Sequence, residues 1–438
     1  MNRINYSVNL YSLIIYIFKI HKRCMLRTNR IELIPTKNQK NILKEMLVRS
    51  SGIWNLTNYE KRQAFFKKEK IPSFSQQCKE LRHHELYKKL GSAYSQQILK
   101  KLDNAWHSFW ETLKSNKISN NVSIPSYFKN YKTNQTFPKL LICRNDCYRI
   151  DEKYIYISCS KDLKKKHGIK GLMKIRYNGA RKWKGEQRSM EIKYFSYIKK
   201  FYAYQTEKVE PISIKSEEEN ICSIDLGIKR YMSAYVKNGK DFNLLYPSEH
   251  IFKDYLNITK KIARYQAIAK RENGRYSTKR IQRLFLKRKR KLENYMNNII
   301  AHLIRKLKYY KVSNLIIGDL KGIRVSTIPQ YFKYKEKINM MIQNFWSFDL
   351  FKKKLQNKCE EFGINLIVID ESHTSSTCPI CGNISRPNDR NFKCSYCGYE
   401  QDRDVVGSIN LLKKYSHDQG LHLGVENHPV LSNVIILH

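Results

Sequence analysis

The chain has 438 residues, which is long enough for about two to four domains with buried cores. Lys and Arg together number 83 against 38 Asp and Glu, so the formal net charge is +45. This excess is larger than solubility requires and indicates a polyanionic partner. Nucleic acid is favoured over a membrane surface because the charge is spread along the whole chain.

Residues 1–24 differ in pattern from the rest of the chain. The apolar run from Leu10 to Phe18 is too short to span a membrane. Its basic residues follow it, whereas those of a signal peptide come first. A more regular pattern begins at Met25, so we expect residues 1–24 to be a disordered leader or a mis-assigned start.

The next segment is predicted to be a strand followed by helices. Residues 26–35 alternate as a strand does. Thr36 and Gln39 have capping-box spacing, which predicts the start of a helix, and a helical, basic pattern continues to about residue 115. Apolar residues at spacings of three and four form one stripe, which is typical of a packed core rather than of base stacking. The stripe consists of Ile98, Leu99, Leu102, Ala105, Trp106, Phe109 and Trp110.

Residues 116–210 are predicted to be rich in β-strands, because short runs of strand-forming residues lie between turn signals. The runs are 122–129, 154–158, 173–177 and 199–204. Basic and aromatic residues interleave in them, which suits nucleic acid, although aromatic side chains on strands more often belong to a core. We expect residues 25–212 to form an antiparallel barrel or sheet with a helical lobe inserted at about 38–115.

Residues 213–415 are predicted to form an α/β domain. Apolar strands at Ile221–Asp225, Asn314–Leu320 and Asn365–Asp370 alternate with helices, which implies parallel pairing. The last helix is expected to end soon after Asn410. Residues 416–438 are expected to be a loose C-terminal tail.

A long helical hairpin over residues 251–310 is predicted to turn near Asn273 and Gly274. Its second arm has an apolar stripe on one face and a dense basic run on the other. The run is Lys287, Arg288, Lys289, Arg290 and Lys291. Charge this dense on a packed helix indicates contact with phosphate, although a solvated face is the simpler interpretation of any single basic run.

Four cysteines near the C-terminus have the spacing of a metal site. Cys378, Cys381, Cys394 and Cys397 follow the pattern C-x2-C-x12-C-x2-C, in which each pair can present two thiolates to one tetrahedral ion. Four thiolates are typical of a closed, structural Zn²⁺ site. Four free buried cysteines and an iron–sulfur cluster are the alternatives. The other seven of the eleven cysteines show no disulfide framework, which favours a reducing, intracellular (cytoplasmic) compartment.

Asp225 and Asp404 are candidate ligands for a catalytic divalent cation. Each lies at the edge of a predicted element, next to a small or turn residue. Mg²⁺ needs hard oxygen ligands that converge from different elements. The simpler interpretation is that each carboxylate only caps an element or stabilises a turn.

Five motifs together resemble the transposon-encoded TnpB nucleases, compact relatives of the type V CRISPR effectors. The motifs are Ser223–Lys229, Ile316–Arg324, Asn344–Phe348, Ser372–Gly382 and Asp402–Asn410. The resemblance covers about residues 25–412 and implies an α+β multidomain protein. A wedge-like N-terminal β-barrel with an inserted helical lobe would precede a RuvC-like nuclease domain of RNase H fold. The zinc module, residues 378–397, would be inserted before the last catalytic segment.

The resemblance also implies site residues, with one departure. Asp225 matches the first catalytic Asp and Asp404 the last, but many relatives have a catalytic Glu where this chain has Gly318. Asp319 is expected to face the opposite side of the strand. We predict that Glu371, at the end of the neighbouring strand, replaces the missing carboxylate across the space that Gly318 leaves free.

Two features define this prediction for Glu371. Its strand is expected to lie beyond that of Gly318, so Asp225 and Glu371 would be anchored roughly 10 Å apart and could share a metal pair. Asp370 is expected to face the other side and serves as an internal control. The simpler interpretation is that Glu371 only anchors the following turn.

The resemblance implies an RNA-guided DNA endonuclease of a transposable element that uses two Mg²⁺ ions. Its partners would be a guide RNA transcribed from the element and double-stranded target DNA. Neither a membrane nor a small-molecule substrate is expected. The loss of Glu at Gly318 leaves a second hypothesis open, a nuclease-dead RNA-guided repressor or transposition regulator. A zinc-ribbon DNA-binding protein without guide RNA is the third, and the series of nuclease motifs argues against it.

Overall fold

A computed structural model of the chain describes residues 24–114, 122–131, 133–212, 217–227, 230–237, 242–319, 347–385, 390–420 and 432–435. The expectations for residues 1–23, for the cysteine loop at 386–389 and for motif residues 228–229, 320–324 and 344–346 lie outside these ranges. The chain divides into two compact units, Met1–Glu210 and Pro211–His438. Within the described ranges, every helix is too short or too polar to span a bilayer.

The N-terminal unit contains a seven-stranded antiparallel sheet. Its strands are β1 (Met25–Ile34), β2 (Leu140–Cys143), β3 (Tyr148–Ile150), β4 (Tyr154–Ile157), β5 (Met173–Asn178), β6 (Glu186–Phe195) and β7 (Lys200–Val209). They lie in the order β2-β6-β7-β1-β5-β4-β3. Buried and exposed residues alternate along β1 and β5, as strand geometry requires. The end strands β2 and β3 do not pair within the described residues, so a closed barrel is not confirmed.

Helices of the described N-terminal unit interrupt this sheet between β1 and β2 and between β4 and β5. They are α1 (Lys37–Phe66), α2 (Phe74–Glu80), α3 (Glu85–Leu90), α4 (Ser92–Lys114) and α5 (Lys161–His167), with a 3-10 turn at Leu81–His83. A second 3-10 turn, Asn145–Cys147, lies between β2 and β3. The predicted capping box is confirmed. Gln39 N donates to Thr36 Oγ1 at 3.4 Å, and Thr36 N donates to Gln39 Oε1 at 3.0 Å. The centre of the predicted α4 stripe is buried in the core.

Residues 122–131 form an extended strap along α1, where the sequence predicted a strand. Asn58 Nδ2 donates to Pro125 O at 2.8 Å, and Trp54 Nε1 donates to Ser126 O at 2.9 Å. Helix side chains therefore satisfy backbone groups that a neighbouring strand would otherwise bond, and strand pairing of the described strap is confined to one isolated bridge between Lys129 and Thr136.

The C-terminal unit contains a six-stranded mixed sheet and a separate hairpin. The sheet strands are β8 (Glu217–Asp225), β9 (Arg230–Lys237), β10 (Phe242–Pro247), β11 (Val312–Asp319), β12 (Asn365–Asp370) and β15 (Ser432–Val434), and the hairpin is β13 (Asn391–Lys393) with β14 (Glu400–Asp402). The sheet order is β12-β11-β8-β9-β10-β15. β11 runs parallel to β8, and β12 runs parallel to β11, so the predicted parallel pairing is confirmed. The carboxyl ends of these three strands meet at one edge of the sheet.

Helices cover both faces of this sheet. They are α6 (Glu249–Asn273), α7 (Lys279–Tyr309), α8 (Phe348–Glu361) and α9 (Arg403–Asp418). α7 and α8 pack on the face that includes Cys222 and Ile317, and α9 packs on the face that includes Ile221 and Ile316. Because side chains alternate along a strand, Asp225 and Gly318 lie on the α9 face. α6 and α7 form the predicted hairpin, with Gly274 at φ 60° ending α6.

The C-terminal segment differs from the expected loose tail. α9 continues to Asp418, and its residues Leu411, Leu412 and Ser416 are buried. Ser432–Val434 pairs in parallel with β10. The predicted tail therefore contributes the last residues of a helix and an edge strand.

Candidate active site and metal centre

Four cysteine sulfurs form a cluster in the C-terminal unit. The Sγ atoms of Cys378, Cys381, Cys394 and Cys397 all lie within 4.8 Å of one another. The Cys378–Cys397 and Cys381–Cys394 sulfur pairs are each 3.5 Å apart. Four thiolates about 2.3 Å from a central Zn²⁺ would lie about 3.8 Å apart. The predicted convergence of these cysteines is confirmed, and the cluster fits a tetrahedral ion of that size.

Two glycine turns build the cluster. Gly382 and Gly398 follow the two cysteine pairs with φ of 76° and 73°, which residues with a Cβ rarely adopt. Their amides donate to the carbonyl oxygens of Cys378 and Cys394 at 3.0 and 3.2 Å. Each pair of thiols is thereby held on one tight turn.

The described residues around the four cysteines, 378–385 and 390–397, form a module that is packed against α9. This part of the chain is called the cysteine module below. Phe392 of β13 and Val406 of α9 belong to one small core that also contains two of the cysteines. Asn410 Nδ2 donates to the carbonyl oxygens of Thr374 and Thr377, both at 2.7 Å. α9 is thus bonded to the segment that joins β12 to the first cysteine pair.

Asp225 ends β8 on the face that packs against α9. The residue as a whole is only half-buried, but protein atoms surround its carboxyl group. This burial raises the pKa of Asp225 to about 8, and the charges of Glu371 and Asp404 add to the shift while Arg403 opposes it. Carboxyl groups from β8, from the end of β12 and from α9 therefore repel one another, as ligands that share a cation do.

Glu371 follows β12, and its side chain lies against Gly318 of the neighbouring strand β11. A Cβ at position 318 would contact Glu371 Oε2 and would lie 3.0 Å from Glu371 Cβ. Burial, then the charges of Asp370 and Asp319, raise the pKa of Glu371 to about 7. Oε2 is buried and has no hydrogen-bond donor among the described residues. Gly318 therefore leaves the space that this carboxyl group occupies.

The two neighbouring carboxylates are occupied elsewhere. Asp319 accepts from Lys352 Nζ of α8 at 3.1 Å, on the face opposite α9, so its predicted direction is confirmed. Asp370 is exposed and accepts from Ser372 Oγ at 2.8 Å and from Lys414 Nζ of α9 at 2.9 Å, so its expected direction away from the α9 side is not confirmed. These bonds hold the pKa of Asp370 below its usual value.

Asp404 lies in the first turn of α9 and is held by arginines. Its Oδ2 accepts from Arg390 Nη1 at 2.9 Å, and Arg230 Nη1 lies 3.9 Å from the same oxygen. Arg230 also pairs with Asp402, which caps α9 by accepting from Asp404 N at 2.9 Å. Asp404 Oδ1 lies 3.9 Å from where a Cβ of Gly227 would be, so it is close to the end of β8.

Gly407 lets α9 approach β8 closely. A Cβ at position 407 would lie 2.7 Å from Asp225 Oδ2 and 2.9 Å from its Cγ, which is too close without a shift. Ser223 Oγ donates to Ser408 O at 2.6 Å and fixes the same crossing. The helix that carries Asp404 is therefore held directly against the strand that carries Asp225.

The three carboxylates converge without closing into a compact ligand set. In the described part of the chain, the cysteine cluster is the one group of potential ligands whose atoms all lie within 4.8 Å of one another. Asp404 is engaged by Arg390, while Asp225 and Glu371 are crowded and partly desolvated. An unpartnered buried carboxylate oxygen together with two raised pKa values fits a site that takes a divalent cation.

The basic run of residues 287–291 covers more than one turn of α7, and four of its five side chains are exposed. Arg288 is half-buried and donates to Thr259 Oγ1 of α6 at 2.9 Å. Lys291 pairs with Asp254 of α6. These two residues hold the hairpin together. The other three residues of the run take no part in these contacts with α6. They are Lys287, Lys289 and Arg290.

The end of the sheet that holds Asp225, Glu371 and Asp404 is called the carboxylate edge below. Three further residues at this edge were not predicted from the sequence: Arg230, Arg390 and Gly407. Arg230 is far from Asp404 in the sequence, and no spacing rule joins either arginine to it. Gly407 follows Asp404 by three positions on a helix, so both lie on neighbouring turns of one face. This spacing was the one feature of the sequence that could have indicated Gly407 as part of the site.

Two family models match the chain. A family described as probable transposase matches residues 203–324, and the Cas12f1-like TNB domain matches residues 348–411. The first range includes Asp225 and Gly318, and the second includes Glu371, Asp404 and the cysteines. The fold and these matches define a mixed α/β protein that resembles Cas12f-like and TnpB-like nucleases.

Two relatives named as TnpB-like proteins match this chain, one over most of its length and the other over a part of it. A TnpB-like protein of Acidianus two-tailed virus is 28% identical over 419 residues, which cover 89% of this chain and 86% of that protein. A TnpB-like protein of Methanocaldococcus jannaschii is 34% identical over 133 residues, which cover 30% of this chain and 45% of the relative. The CRISPR-associated endodeoxyribonuclease Cas12f1 of Sulfoacidibacillus thermotolerans is 41% identical over 73 residues, 16% of this chain and 17% of that one.

A solved structure has a similar fold. The Cas12f1-sgRNA-target DNA complex gives a TM-score of 0.53 at 14% identity, covering 86% of this chain and 83% of that one. Taken with the family models and the viral relative, this likeness confirms the resemblance drawn from the motifs. The family models, the TnpB-like relatives and this fold together support a protein of the TnpB family.

Proposed function

We propose that this protein is an RNA-guided DNA endonuclease associated with a transposable element. The likeness to TnpB-like proteins supports the general class, and the net charge of +45 supports nucleic acid partners. One observation carries the nuclease assignment. The side chain of Glu371 lies where a side chain of residue 318 would begin, which returns a third carboxylate to the edge that holds Asp225 and Asp404.

The topology of the C-terminal sheet supports an RNase H-like domain over residues 213–415. An antiparallel meander, β8–β10, continues into the parallel strands β11 and β12. The carboxylates lie at the carboxyl end of β8, just past β12 and in the first turn of α9. Residues 25–212, with their helical lobe at about 38–115, would bind the guide RNA and its duplex with DNA.

Asp225, Glu371 and Asp404 would hold two Mg²⁺ ions, which supply an activated water and stabilise the leaving oxygen. Asp225 first has to lose its proton, because a pKa of about 8 keeps it largely protonated near neutral pH. Arg390 has to release Asp404 Oδ2. A guanidinium freed at this edge is suited to a phosphate of the substrate.

The cysteine cluster would hold a structural Zn²⁺ ion. Its four thiols leave no open coordination position, so the ion would fix geometry rather than take part in hydrolysis. Arg390 immediately precedes β13 of this module, and Phe392 packs against α9. The metal would therefore position both Arg390 and Asp404.

A nuclease-dead, RNA-guided repressor or transposition regulator is the second candidate. The observation that favours it is that the three carboxylates, unlike the cysteines, do not form a group whose ligand atoms all lie within 4.8 Å of one another in the described part of the chain, and that Asp404 is bonded to Arg390. Under this alternative the protein would bind a guide RNA and matched DNA in the same way and would leave the DNA intact.

Expression of the gene with its native flanking DNA, followed by sequencing of any RNA that copurifies, tests the guided function. One RNA species that extends into the flanking sequence supports both guided candidates, and absence of bound RNA supports the unguided zinc-ribbon alternative. Incubation of the complex with matched double-stranded DNA and Mg²⁺ then separates the two. Cleavage supports the nuclease, and tight binding without cleavage supports the repressor.

A further inference from the structure

The N-terminal unit has a patch of exposed aromatic rings around the strap. Tyr59, Phe66, Tyr131 and Phe137 are 55%, 61%, 70% and 38% exposed. Among the described residues of this unit, they are the aromatic members of the set of large, exposed apolar side chains. Exposed rings concentrated in one place indicate a binding surface, whereas scattered ones would not.

The backbone beneath this aromatic patch is fixed by α1. Phe128 N donates to Asn55 Oδ1 at 2.7 Å, and the Trp54 and Phe128 rings stack with centroids 4.6 Å apart. Arg62 Nη1 donates to Pro125 O at 3.3 Å. The rings of the patch are therefore presented on a surface that needs little ordering when a ligand binds.

Cations lie between the rings. The Arg62 guanidinium is 4.7 Å from the Tyr127 ring centroid and 5.8 Å from that of Phe66. Lys129 Nζ is 5.3 Å from the Tyr127 centroid and 5.8 Å from that of Tyr131. A protein partner with an apolar face would gain nothing from these charges, and a duplex backbone would gain nothing from the rings. Flat apolar faces combined with positive charge match a chain of unpaired nucleotides.

We propose that the aromatic patch binds single-stranded DNA by stacking unpaired bases on Tyr59, Phe66 and Tyr131. Bases inside a duplex already stack on one another, so only unpaired bases offer free faces to these rings. Asn55 and Asn58 are turned inward to bond the strap, which leaves rings and cations on the outside. The choice of DNA rests on the proposed function, since pairing of a guide with one DNA strand leaves the other strand unpaired.

The test compares the full-length protein with a triple variant, Tyr59→Ala, Phe66→Ala and Tyr131→Ala. Fluorescence anisotropy with a labelled thymidine oligonucleotide gives Kd at fixed salt. Loss of base stacking weakens binding by about five- to a hundredfold per ring, so we expect the triple variant to bind at least about a hundredfold more weakly. The conservative set Tyr59→Phe, Phe66→Tyr and Tyr131→Phe should restore the affinity. Tyr309→Ala removes a ring that is 77% exposed in the other unit and should leave Kd unchanged.

A second oligonucleotide of the same length, built from abasic nucleotides, separates stacking from charge. Wild-type protein and triple variant should bind it equally, with equal dependence of log Kd on log salt, because Arg62 and Lys129 remain. Equal losses on both oligonucleotides, or no loss on the thymidine oligonucleotide, would overturn the proposal. Wild-type binding of a uridine oligonucleotide about tenfold tighter than thymidine would overturn the choice of DNA.

A separate assay, cleavage of guide-matched DNA, distinguishes failure of the aromatic patch from failure of the proposed nuclease function. If ring-dependent binding is found and matched DNA is never cut, the aromatic patch stands and the nuclease assignment fails. If matched DNA is cut and binding of the thymidine oligonucleotide does not depend on the rings, the nuclease stands and the patch fails.

Discussion

Glycines shape the carboxylate edge at the scale of single residues. Gly318 makes room for Glu371, and Gly407 makes room for Asp225. Because neighbouring strands are about 4.8 Å apart, a Glu on β12 can bring its carboxylate over the position that a side chain on β11 would fill. The substitution of Gly at 318 and the position of Glu371 are thus two parts of one arrangement.

Glu371→Gln should abolish Mg²⁺-dependent cleavage while DNA binding persists. The amide keeps the shape of the side chain but removes the charge that a cation requires. We expect the cleavage rate to fall at least about a hundredfold, more than loss of a group that only orients a metal ligand. The measurement is single-turnover cleavage of matched DNA by the guide complex.

Asp370→Asn is the matched control for Glu371→Gln, because it changes the adjacent carboxylate, which is bonded to Lys414 at the exposed edge. It should retain most of the activity. Normal cutting by Glu371→Gln combined with inactivity of Asp225→Asn would show that Glu371 only anchors the turn.

Asp225 should make metal-free protein less stable as pH rises. Its pKa is about 8 in the fold against 3.8 ordinarily, so between these values the folded state holds a proton that the unfolded state has lost. Asp225 alone then lowers the free energy of unfolding by at most about 1.4 kcal/mol per pH unit as pH rises, and this loss ends above its folded pKa. Glu371, whose pKa is also raised, adds a loss of the same sign below about pH 7. Urea unfolding in EDTA from about pH 5 to 8 measures it.

Asp225→Asn cannot ionise and should show a shallower fall in the free energy of unfolding over the same pH range. Asp370→Asn should leave the slope as in the wild-type protein, because the pKa of Asp370 is lowered and lies below this range. Identical slopes for wild-type protein and Asp225→Asn would mean that Asp225 is ionised in the fold throughout.

Several features at the scale of elements could be predicted from sequence because they depend on local rules. The capping box at Thr36, the turn at Gly274 and the pairing of the cysteines each follow from spacing along the chain. The strap at 122–131 could not be predicted, because side chains of α1 from far away in the sequence satisfy its backbone. Closure of the N-terminal sheet depends on pairing of its two end strands, which no local pattern encodes.

The candidate site was predictable in part for the same reason. Strand periodicity separates Asp319 from the face of Asp225, and strand order places Glu371 beside Gly318. Arg390 was not predictable, since its bond to Asp404 depends on how the cysteine module folds back onto α9.

Cys394→Ser should lower both zinc content and local stability. The cysteine module has a small core around Phe392, so it depends on its metal to fold. We expect zinc to fall from about one per chain towards zero, measured by atomic absorption, and hydrogen exchange to rise in β13 and β14. Cys359→Ser, at a buried cysteine outside the cluster, is the control for loss of a thiol. Full zinc retention by Cys394→Ser would contradict the site.

The basic run of α7 should contribute to the salt dependence of nucleic acid binding. Changing Lys287, Lys289 and Arg290 to Gln should flatten the plot of log affinity against log salt by about 0.7 to 0.9 for each phosphate that the protein no longer neutralises. Arg288→Gln should lower the melting temperature instead, because Arg288 bonds Thr259 and stacks 4.7 Å from the Tyr255 ring. An unchanged slope in the triple variant would mean that the run is only solvated.

Charge governs behaviour at the scale of the whole molecule. A formal net charge of +45 makes the free protein repel itself, and a bound polyanion would relieve that repulsion. The two compact units each contain part of the proposed machinery, the aromatic patch in the first and the carboxylate edge with the cysteine cluster in the second. An intact guide complex is therefore the form in which the activity has to be measured.

Exchange of the two side chains at positions 318 and 371 tests whether Glu371 supplies the carboxylate that position 318 lacks. Glu371→Gly should abolish cleavage of matched DNA, and Gly318→Glu should impair it, because a Cβ at 318 would meet Glu371. The double variant Gly318→Glu, Glu371→Gly places the carboxylate on β11 and removes the obstructing Cβ from position 371. We predict that it regains cleavage to within about tenfold of the wild-type rate, a cost typical of a slightly misplaced ligand. A double variant no more active than Glu371→Gly alone, or full activity of Glu371→Gly, would show that Glu371 does not supply this carboxylate.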